Sequence, residues 1–368
     1  MTTEPFPLIE VSGPPNERGR SYGRQAATRI HRGIEHYGVQ LERQGLEVLE
    51  LARLVRQYLP IIERFDVRYI EEMRGIATGA DVPFEQIVFL NARTEILKLA
   101  QRPELRASLQ ADEPDGCTGV IVMPEATAGG HLLHAQNWDW KSECAETAVM
   151  LRIQPDRGPA LLTFTEAGGL ARSGLNAVGI ALTANYLESD LDYRTLGVPL
   201  ALIRRKVLES EHFALAAHAI YTTLKSGSNN MMLSHADGFA MNFECAPGET
   251  FVLYPEGGLL VHANHWVHTA ALSKLRDTGV ANMPDTLYRD RRVRDLLAPR
   301  LPAIDVEAVK SALLDDRLTP WSVCRPPRRG VTEAVSATVA SIVMSPVDRL
   351  IEVAPLPALG MPYCSYRL

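Results

Sequence analysis

Cysteine is scarce in this chain. Cys117, Cys144, Cys245, Cys324 and Cys364 stand far apart in 368 residues, an odd number with no Cys-x-x-Cys pair. That spacing excludes a disulfide scaffold and a structural zinc site, and fits a protein kept reduced in the cytoplasm. Long apolar runs are missing too. No segment approaches the ~20 apolar residues of a membrane span, and Met1-Thr2-Thr3-Glu4-Pro5-Phe6-Pro7 lacks the basic and apolar stretches of a signal peptide. Basic excess is absent: 38 Lys and Arg stand against 44 Asp and Glu, a formal charge of −6, which argues against a nucleic-acid partner. There is no repeat, no low-complexity tract and no clear linker. What is there, 46% hydrophobic and 22% charged residues, is the composition of a soluble globular enzyme.

Several familiar motifs are also missing. No Gly-x-Gly-x-x-Gly, His-Glu-x-x-His or Gly-x-Ser-x-Gly occurs, and Gly174-x4-Gly179 continues into Ile180-Ala181 instead of the Lys-Ser/Thr of a phosphate loop. The three histidines of His262-Ala263-Asn264-His265-Trp266-Val267-His268 are the strongest hint of a metal. Along a strand, however, His262 and His268 share a face while His265 points the opposite way, and no acidic or thiol ligand sits at metal spacing. No metal or cofactor is expected.

The pattern changes along the chain. Residues 15–116 read as mostly helical, with periodic apolar positions over Glu17–Gln44 and Leu49–Ile76 and a helix pair over Asp81–Leu99 broken at Pro83. From Thr118 the chain turns strand-rich. Val120–Met123 and His131–Ala135 flank a Gly129-Gly130 turn, and strands follow at Ala148–Ile153, Ala160–Thr165 and Gly179–Ala184. Helices at Pro199–Glu209 and His212–Leu224 precede strands at Asn230–Ser234, Phe239–Glu244, Thr250–Tyr254 and Gly258–Ala263. Helices at Pro284–Leu297 and Asp305–Asp315 lead to a final hairpin, Thr338–Met344 and Arg349–Val353. Grouped strands with intervening helix pairs predict layered α+β packing, not a doubly wound parallel sheet. The one compositional seam is the polar stretch Arg102–Pro114.

Just after that seam stands Asp115-Gly116-Cys117-Thr118. Cleavage of the Gly116–Cys117 bond would give Cys117 both a thiol and an α-amine of pKa ~7.7–8.0, nucleophile and base in one residue. A Gly-Cys pair entering a strand serves equally as a tight turn, and buried cysteines are commonly small hydrophobes. The surroundings decide between the two. Asp115-Gly116-Cys117-Thr118, Gln136-Asn137-Trp138-Asp139, Thr165-Glu166-Ala167-Gly168, Gly197-Val198-Pro199, His262-Ala263-Asn264-His265 and Trp321-Ser322-Val323-Cys324-Arg325 occur in an order that resembles one family over nearly the whole chain. It is that of the acyl-CoA:6-aminopenicillanate (isopenicillin N) acyltransferases and their amide-hydrolysing relatives, within the N-terminal-nucleophile hydrolases.

The resemblance implies a four-layer αββα sandwich with a helical N-terminal segment. It implies self-cleavage into residues 1–116 and 117–368, which stay together as one integrated fold, with an oligomer compatible. It makes Cys117 the nucleophile and the Asn264 side chain one oxyanion donor, with the Tyr186 backbone N–H as the other. Asp139 orients the nucleophile or serves cleavage; a carboxylate too close to the amine would raise its pKa and blunt it as a base. Arg325 pairs with Asp139, favours the thiolate or binds a substrate carboxylate. Read without the family, Asn264 could cap a strand end, Asp139 could form a strand-end salt bridge, and Arg325 could be a solvated residue of the basic Arg325-Pro326-Pro327-Arg328-Arg329 loop. Cys144, Cys245 and Cys364 read as structural. The expected reaction is hydrolysis of an N-acyl amine or small peptide-like substrate through an S-acyl enzyme. The alternatives are acyl transfer from acyl-CoA or an amide donor to an amine such as 6-aminopenicillanate, and an uncleaved, inactive binding protein.

Overall fold

The computed structural model describes residues 5–46, 48–100, 116–329 and 335–368; the seam at Arg102–Pro114 lies outside them. Five helices lead: α1 (Pro15–Arg43), α2 (Val48–Phe65), α3 (Val67–Ala80), α4 (Phe84–Asn91) and α5 (Arg93–Ala100). The long apolar period expected over Leu49–Ile76 is broken at Asp66, which is extended and accepts from the Arg68 N–H, so it caps a new helix. The pair expected to break at Pro83 breaks at Ala92 instead. Pro83 sits at the start of α4, where its missing N–H costs nothing.

Two sheets carry the rest. The first is ordered β1 (Leu8–Gly13), β4 (Ala148–Pro155), β5 (Leu161–Glu166), β6 (Ser173–Asn176), β7 (Ile180–Tyr186), β8 (Asn229–His235), β9 (Phe239–Cys245) and β10 (Thr250–Leu253). Only β1 and β4 run parallel. The second is ordered β11 (Leu259–His262), β2 (Gly116–Val122), β3 (Leu133–Lys141), β13 (Val335–Ser345), β14 (Leu350–Pro355) and β15 (Cys364–Arg367), with β12 (Arg328–Arg329) also on β13. The short strands β1, β6 and β15 are not legible as alternating runs, and β3 continues through the Gln136–Asp139 motif.

The sheets stack through β2 and β3 against β7 and β8. Trp138 of β3 meets Phe164 of β5 edge-on at 5.5 Å between ring centroids. Helices α6 (Leu200–Leu208) and α7 (Phe213–Thr222), with α1, cover the first sheet; α8 (Thr286–Leu297) and α9 (Val306–Leu313) cover the second. The fold is therefore α+β, a four-layer αββα sandwich with a helical N-terminal segment. Among the described residues no helix is long and apolar enough to cross a membrane.

Helices α1 and α3 touch backbone to backbone. A Cβ on Gly75 would come within 2.2 Å of the Asn16 carbonyl oxygen, and one on Gly19 within 2.2 Å of the Glu72 carbonyl oxygen. Beside this crossing the buried Glu72 carboxylate accepts from Arg18 (2.8 and 2.6 Å) and from Arg205 of α6 (3.1 Å at each oxygen). We expect Gly75→Ala to destabilise the protein by ~1–3 kcal/mol or more, as overpacking does. Gly38→Ala, on the same α1 with nothing within 4 Å, should be neutral or stabilising. Denaturant unfolding of the two variants checks the contrast.

Candidate active site

Side chains on β2 alternate between two interfaces. Val120 and Val122 face outward onto Val293 and Leu297 of α8 and Val309 of α9, while Ile121 faces inward onto Met232. Cys117 has the inward parity and is fully buried. Gly116 pairs across the sheet with Asp139 and Cys117 with Trp138. Gly116 is not among the residues with positive φ, so backbone angle is not what selects glycine there. Close approach is: a Cβ would lie 2.9 Å from Arg325 Nη1 and 3.0 Å from Asp139 Oδ2.

The backbone of Cys117 is clamped. Its N–H donates to Asn264 Oδ1 (2.8 Å), and its carbonyl accepts from Arg289 Nη1 (2.6 Å). Arg289 also donates to Thr118 Oγ1 (2.8 Å) and, through Nη2, to Asn264 Oδ1 (2.9 Å). One helical turn back, Asp285 accepts from Arg289 Nε at 2.8 Å and from Arg325 Nη2. Arg325 Nε lies 3.4 Å from Asp139 Oδ2. Thr338 completes the chain: its hydroxyl donates to Asp139 Oδ1 (2.6 Å) and accepts from the Arg325 N–H (2.8 Å). The result is a buried line of alternating charge, Asp139, Arg325, Asp285, Arg289, ending on Cys117.

Burial alone would raise the Asp285 carboxyl, but the Arg289 and Arg325 guanidiniums outweigh it and hold it below the usual carboxylate range. Burial, and next the Arg325 charge, lower Arg289. Burial, reinforced by Asp139, pushes the neighbouring Cys324 thiol up to about 12, so Cys324 is no rival nucleophile. On the inner side Arg172 Nη2 approaches Cys117 Sγ to 3.9 Å, its guanidinium lying over the Trp138 ring at 4.2 Å.

Asn264 sits just beyond β11, its N–H on Thr286 Oγ1 (2.6 Å). Its Nδ2 donates to the Tyr186 carbonyl (2.9 Å), so Tyr186 meets Asn264 through its carbonyl oxygen. Glu244 anchors this loop, accepting from His262 Nε2 (2.8 Å) and from the Val267 (2.7 Å) and His268 (3.1 Å) N–H groups. The opposed faces expected of His262 and His265 do not occur. Their rings stack at 6.2 Å, because the strand ends at His262 and alternation stops there. Among the described residues no group of three or more His, Cys, Asp or Glu is placed to hold a metal.

Cys117, Asn264, Asp139, Arg325 and Tyr186 thus fall in one neighbourhood, and Arg325 is buried, not solvated. Sequence reading missed Arg289, Asp285 and Arg172. The Asp285–Arg289 spacing of four on an expected helix was a usable signal; Arg172, alone between small and apolar residues, offered less.

Two stacked sheets between helical layers, with a cysteine heading an inner-facing strand, form the arrangement expected of N-terminal-nucleophile hydrolases. The family described as acyl-coenzyme A:6-aminopenicillanic acid acyl-transferase matches residues 126–354, well over half of the chain, and the chain belongs to it. The match takes in Asp139, Tyr186, Asn264 and Arg325 and begins after Cys117. The 40 kDa form of acyl-coenzyme A:6-aminopenicillanic-acid-acyltransferase of Emericella nidulans is 28% identical over 347 residues, covering 93% of this chain and 90% of that one. Similar solved structures include a Caenorhabditis elegans N-acylethanolamine-hydrolyzing acid amidase ortholog (14% identity, 63% of this chain, 93% of that one, TM-score 0.45). A conjugated bile acid hydrolase of Clostridium perfringens also aligns (13% identity, 68% of this chain, 97% of that one, TM-score 0.45). The chain is an enzyme of amide-bond acyl chemistry, by hydrolysis or by transfer.

Replacing Asp285 by Asn should leave Arg289 and Arg325 facing each other in burial, at a cost of ~3–5 kcal/mol. Because its folded pKa is depressed, Asp285 contributes fully above its unfolded value of ~3.9 and loses that contribution as pH falls through the folded value. Denaturant titrations should therefore show a gap between wild type and Asp285→Asn at pH 7 that closes in acid.

Proposed function

We propose that the chain is an autoproteolytic cysteine enzyme, cut between Gly116 and Cys117, that opens an amide bond of a small N-acyl amine or peptide-like substrate. The observation that supports this most is the Cys117 nitrogen on Asn264 Oδ1 at 2.8 Å: the atom that would become the α-amine already faces an acceptor. In processing, the Cys117 thiol attacks the Gly116 carbonyl carbon, the peptide C–N bond breaks, and the nitrogen takes up the proton. The N-terminal piece is then a thioester on Cys117. Water releases it as a carboxylate at Gly116. The place of Asp139 beside Gly116, on the strand face opposite the thiol, favours a role in this step and not in direct proton transfer. Arg325 holds Asp139 there.

In turnover the free amine takes the thiol proton, the thiolate attacks the substrate carbonyl, and the leaving amine departs with the proton. Asn264 Nδ2 stabilises the oxyanion once it exchanges the Tyr186 carbonyl for it, with the Tyr186 N–H as the second donor. Arg289 on Asn264 Oδ1 polarises that amide and strengthens its N–H as a donor. Water then frees the acid. The Arg18–Glu72–Arg205 cluster supports continued association of the two pieces after the cut, and five cysteines outside any disulfide fit a reducing cytoplasm. A second reading, acyl transfer from acyl-CoA to an amine such as 6-aminopenicillanate, is favoured by the family description and by the Emericella relative. Both share every step up to the S-acyl enzyme.

Intact mass and denaturing electrophoresis should give two pieces, one ending at Gly116 and one beginning at Cys117, and a single chain for Cys117→Ala. Two pieces from that variant would mean foreign proteolysis. Asn264→Ala should lower kcat by ~10²–10³-fold, the usual loss for an oxyanion donor. In plain buffer an N-acyl amine should give acid and amine in equal amounts; strict dependence on an acyl-CoA and an acceptor amine would favour transfer instead.

A further inference from the structure

Asn264 owes its place to side chains of the other sheet. The register of β7, β8 and β9 sets Asn185, Asn230 and Glu244 in one row, and cross-strand partners share a face. That face meets the end of β11. Asn185 Nδ2 donates to the His262 (2.8 Å) and Ala263 (3.0 Å) carbonyls, and Glu244 Oε1 meets His262 Nε2 (2.8 Å). Two residues of the first sheet thus grip the second where strand β11 stops and the segment carrying Asn264 begins.

The peptide group between Ala263 and Asn264 is held at both ends. Its carbonyl accepts from Asn185 Nδ2 and lies 2.9 Å from His262 Nδ1, while its N–H donates to Thr286 Oγ1 (2.6 Å). Both ring nitrogens of His262 therefore face acceptors, a carbonyl on one side and a carboxylate on the other. A neutral imidazole has one N–H and would set a lone pair against one of these oxygens; an imidazolium satisfies both. Glu244 is equally committed, since it also accepts from the Val267 (2.7 Å) and His268 (3.1 Å) N–H groups. Burial would raise its carboxyl, but His262 foremost, and then those two N–H groups, hold it below the usual carboxylate range. His265 is the counterpart. Burial and next the His262 charge lower it, and its Nδ1 lies 3.0 Å from the Thr286 hydroxyl. A neutral His265 can accept the hydroxyl hydrogen of Thr286 while the Thr286 oxygen accepts from Asn264.

We propose that His262, held as an imidazolium by Glu244, positions the oxyanion donor: the pair fixes the 263–264 peptide and through it the Asn264 Nδ2. The proposal rests on Asn264 as the donor to the S-acyl chemistry of Cys117. Glu244 and His262 act through Asn264 and are positioning residues. The carboxylate fixes the ring as the aspartate of a Ser-His-Asp triad does, but here the ring gives a hydrogen bond to a carbonyl and no proton to a substrate.

Two measurements on the processed enzyme test this. With isotope-labelled histidine at pH 7, nitrogen–proton correlation spectra should show both ring nitrogens of His262 protonated, the signal being assigned by its loss in His262→Gln. A neutral His262 ring overturns the charged pair. Turnover of 4-nitrophenyl butyrate, an ester activated enough to acylate a cysteine, reads the positioning, with rates normalised to the cleaved fraction by intact mass. Glu244→Gln should lower kcat by ~10–10²-fold with KM little changed, short of the ~10²–10³-fold expected for loss of the donor itself. In an Asn264→Ala background the same change should cost nothing further, because a residue that acts only through Asn264 has no effect once that amide is gone. Equal losses in the two backgrounds overturn the positioning role. If Glu244→Gln does not fold, His262→Gln goes through the same cycle. Full kcat in Asn264→Ala overturns the oxyanion reading on which the role rests, and the ring spectrum still decides the charged pair.

Discussion

The buried Arg289 guanidinium is the contact on which the rest of the site depends. It joins the Cys117 carbonyl, the Thr118 hydroxyl and Asn264 Oδ1, and it is itself neutralised by Asp285. A charge this deep survives only when paired and hydrogen-bonded on every side. That requirement fixes α8 against β2 and the Asn264 loop against Cys117. Arg325 extends the same logic through Asp285 to Asp139, so the residue before the proposed cut and the residue after it are held by one electrostatic chain. Gly116 is glycine because that chain passes too close for a side chain.

The space between the sheets holds a polar network among its apolar contacts, and that network sets β2 relative to β7. His134 contacts Ser234 Oγ at 2.8 Å and Thr183 Oγ1 at 2.9 Å. Burial lowers its pKa to about 3, so it remains neutral. Gln136 donates to the Ala184 carbonyl and to Asn185 Oδ1, both at 2.7 Å, while Asn185 donates to the His262 (2.8 Å) and Ala263 (3.0 Å) carbonyls. A satisfied polar network permits one register where an apolar interface would tolerate sliding. The distance from Cys117 to the Asn264 loop is therefore set by partners that lie in neither residue's own strand.

The N-terminal segment is built into the layers and is not a cover over them. Strand β1 adds to the first sheet, Glu72 ties α3 to α6 through Arg205, and Tyr37, Arg93 and Glu95 wall a pocket beside Arg172. An enzyme cut at Gly116 would still need both pieces, because β1 belongs to the first sheet and Glu72 is held by Arg205 from the other side of the cut.

The chain by itself determined the layered α+β class, since alternation of apolar residues marks most strands and 3.6-residue periodicity most helices. It also determined which short polar motifs belong together: Cys117, Asp139, Asn264 and Arg325 stand in motifs whose order resembles a family. It could not show that Asp66 restarts a helix, because one capping residue interrupts no apolar period. Nor could it show that His262 and His265 stack, since strand parity fails once the strand ends. Only the tertiary structure decided that Asp139 lies beside Gly116 and away from the thiol, that Asn264 gives Cys117 its oxygen and Tyr186 its N–H, and that Arg289, Asp285 and Arg172 belong to the site. The physical reason is common to all three. Buried polar groups take their partners from whichever element packing brings within about 3 Å, and that proximity between residues 117, 172, 264 and 289 is a property of the stacked layers, not of any local run of sequence.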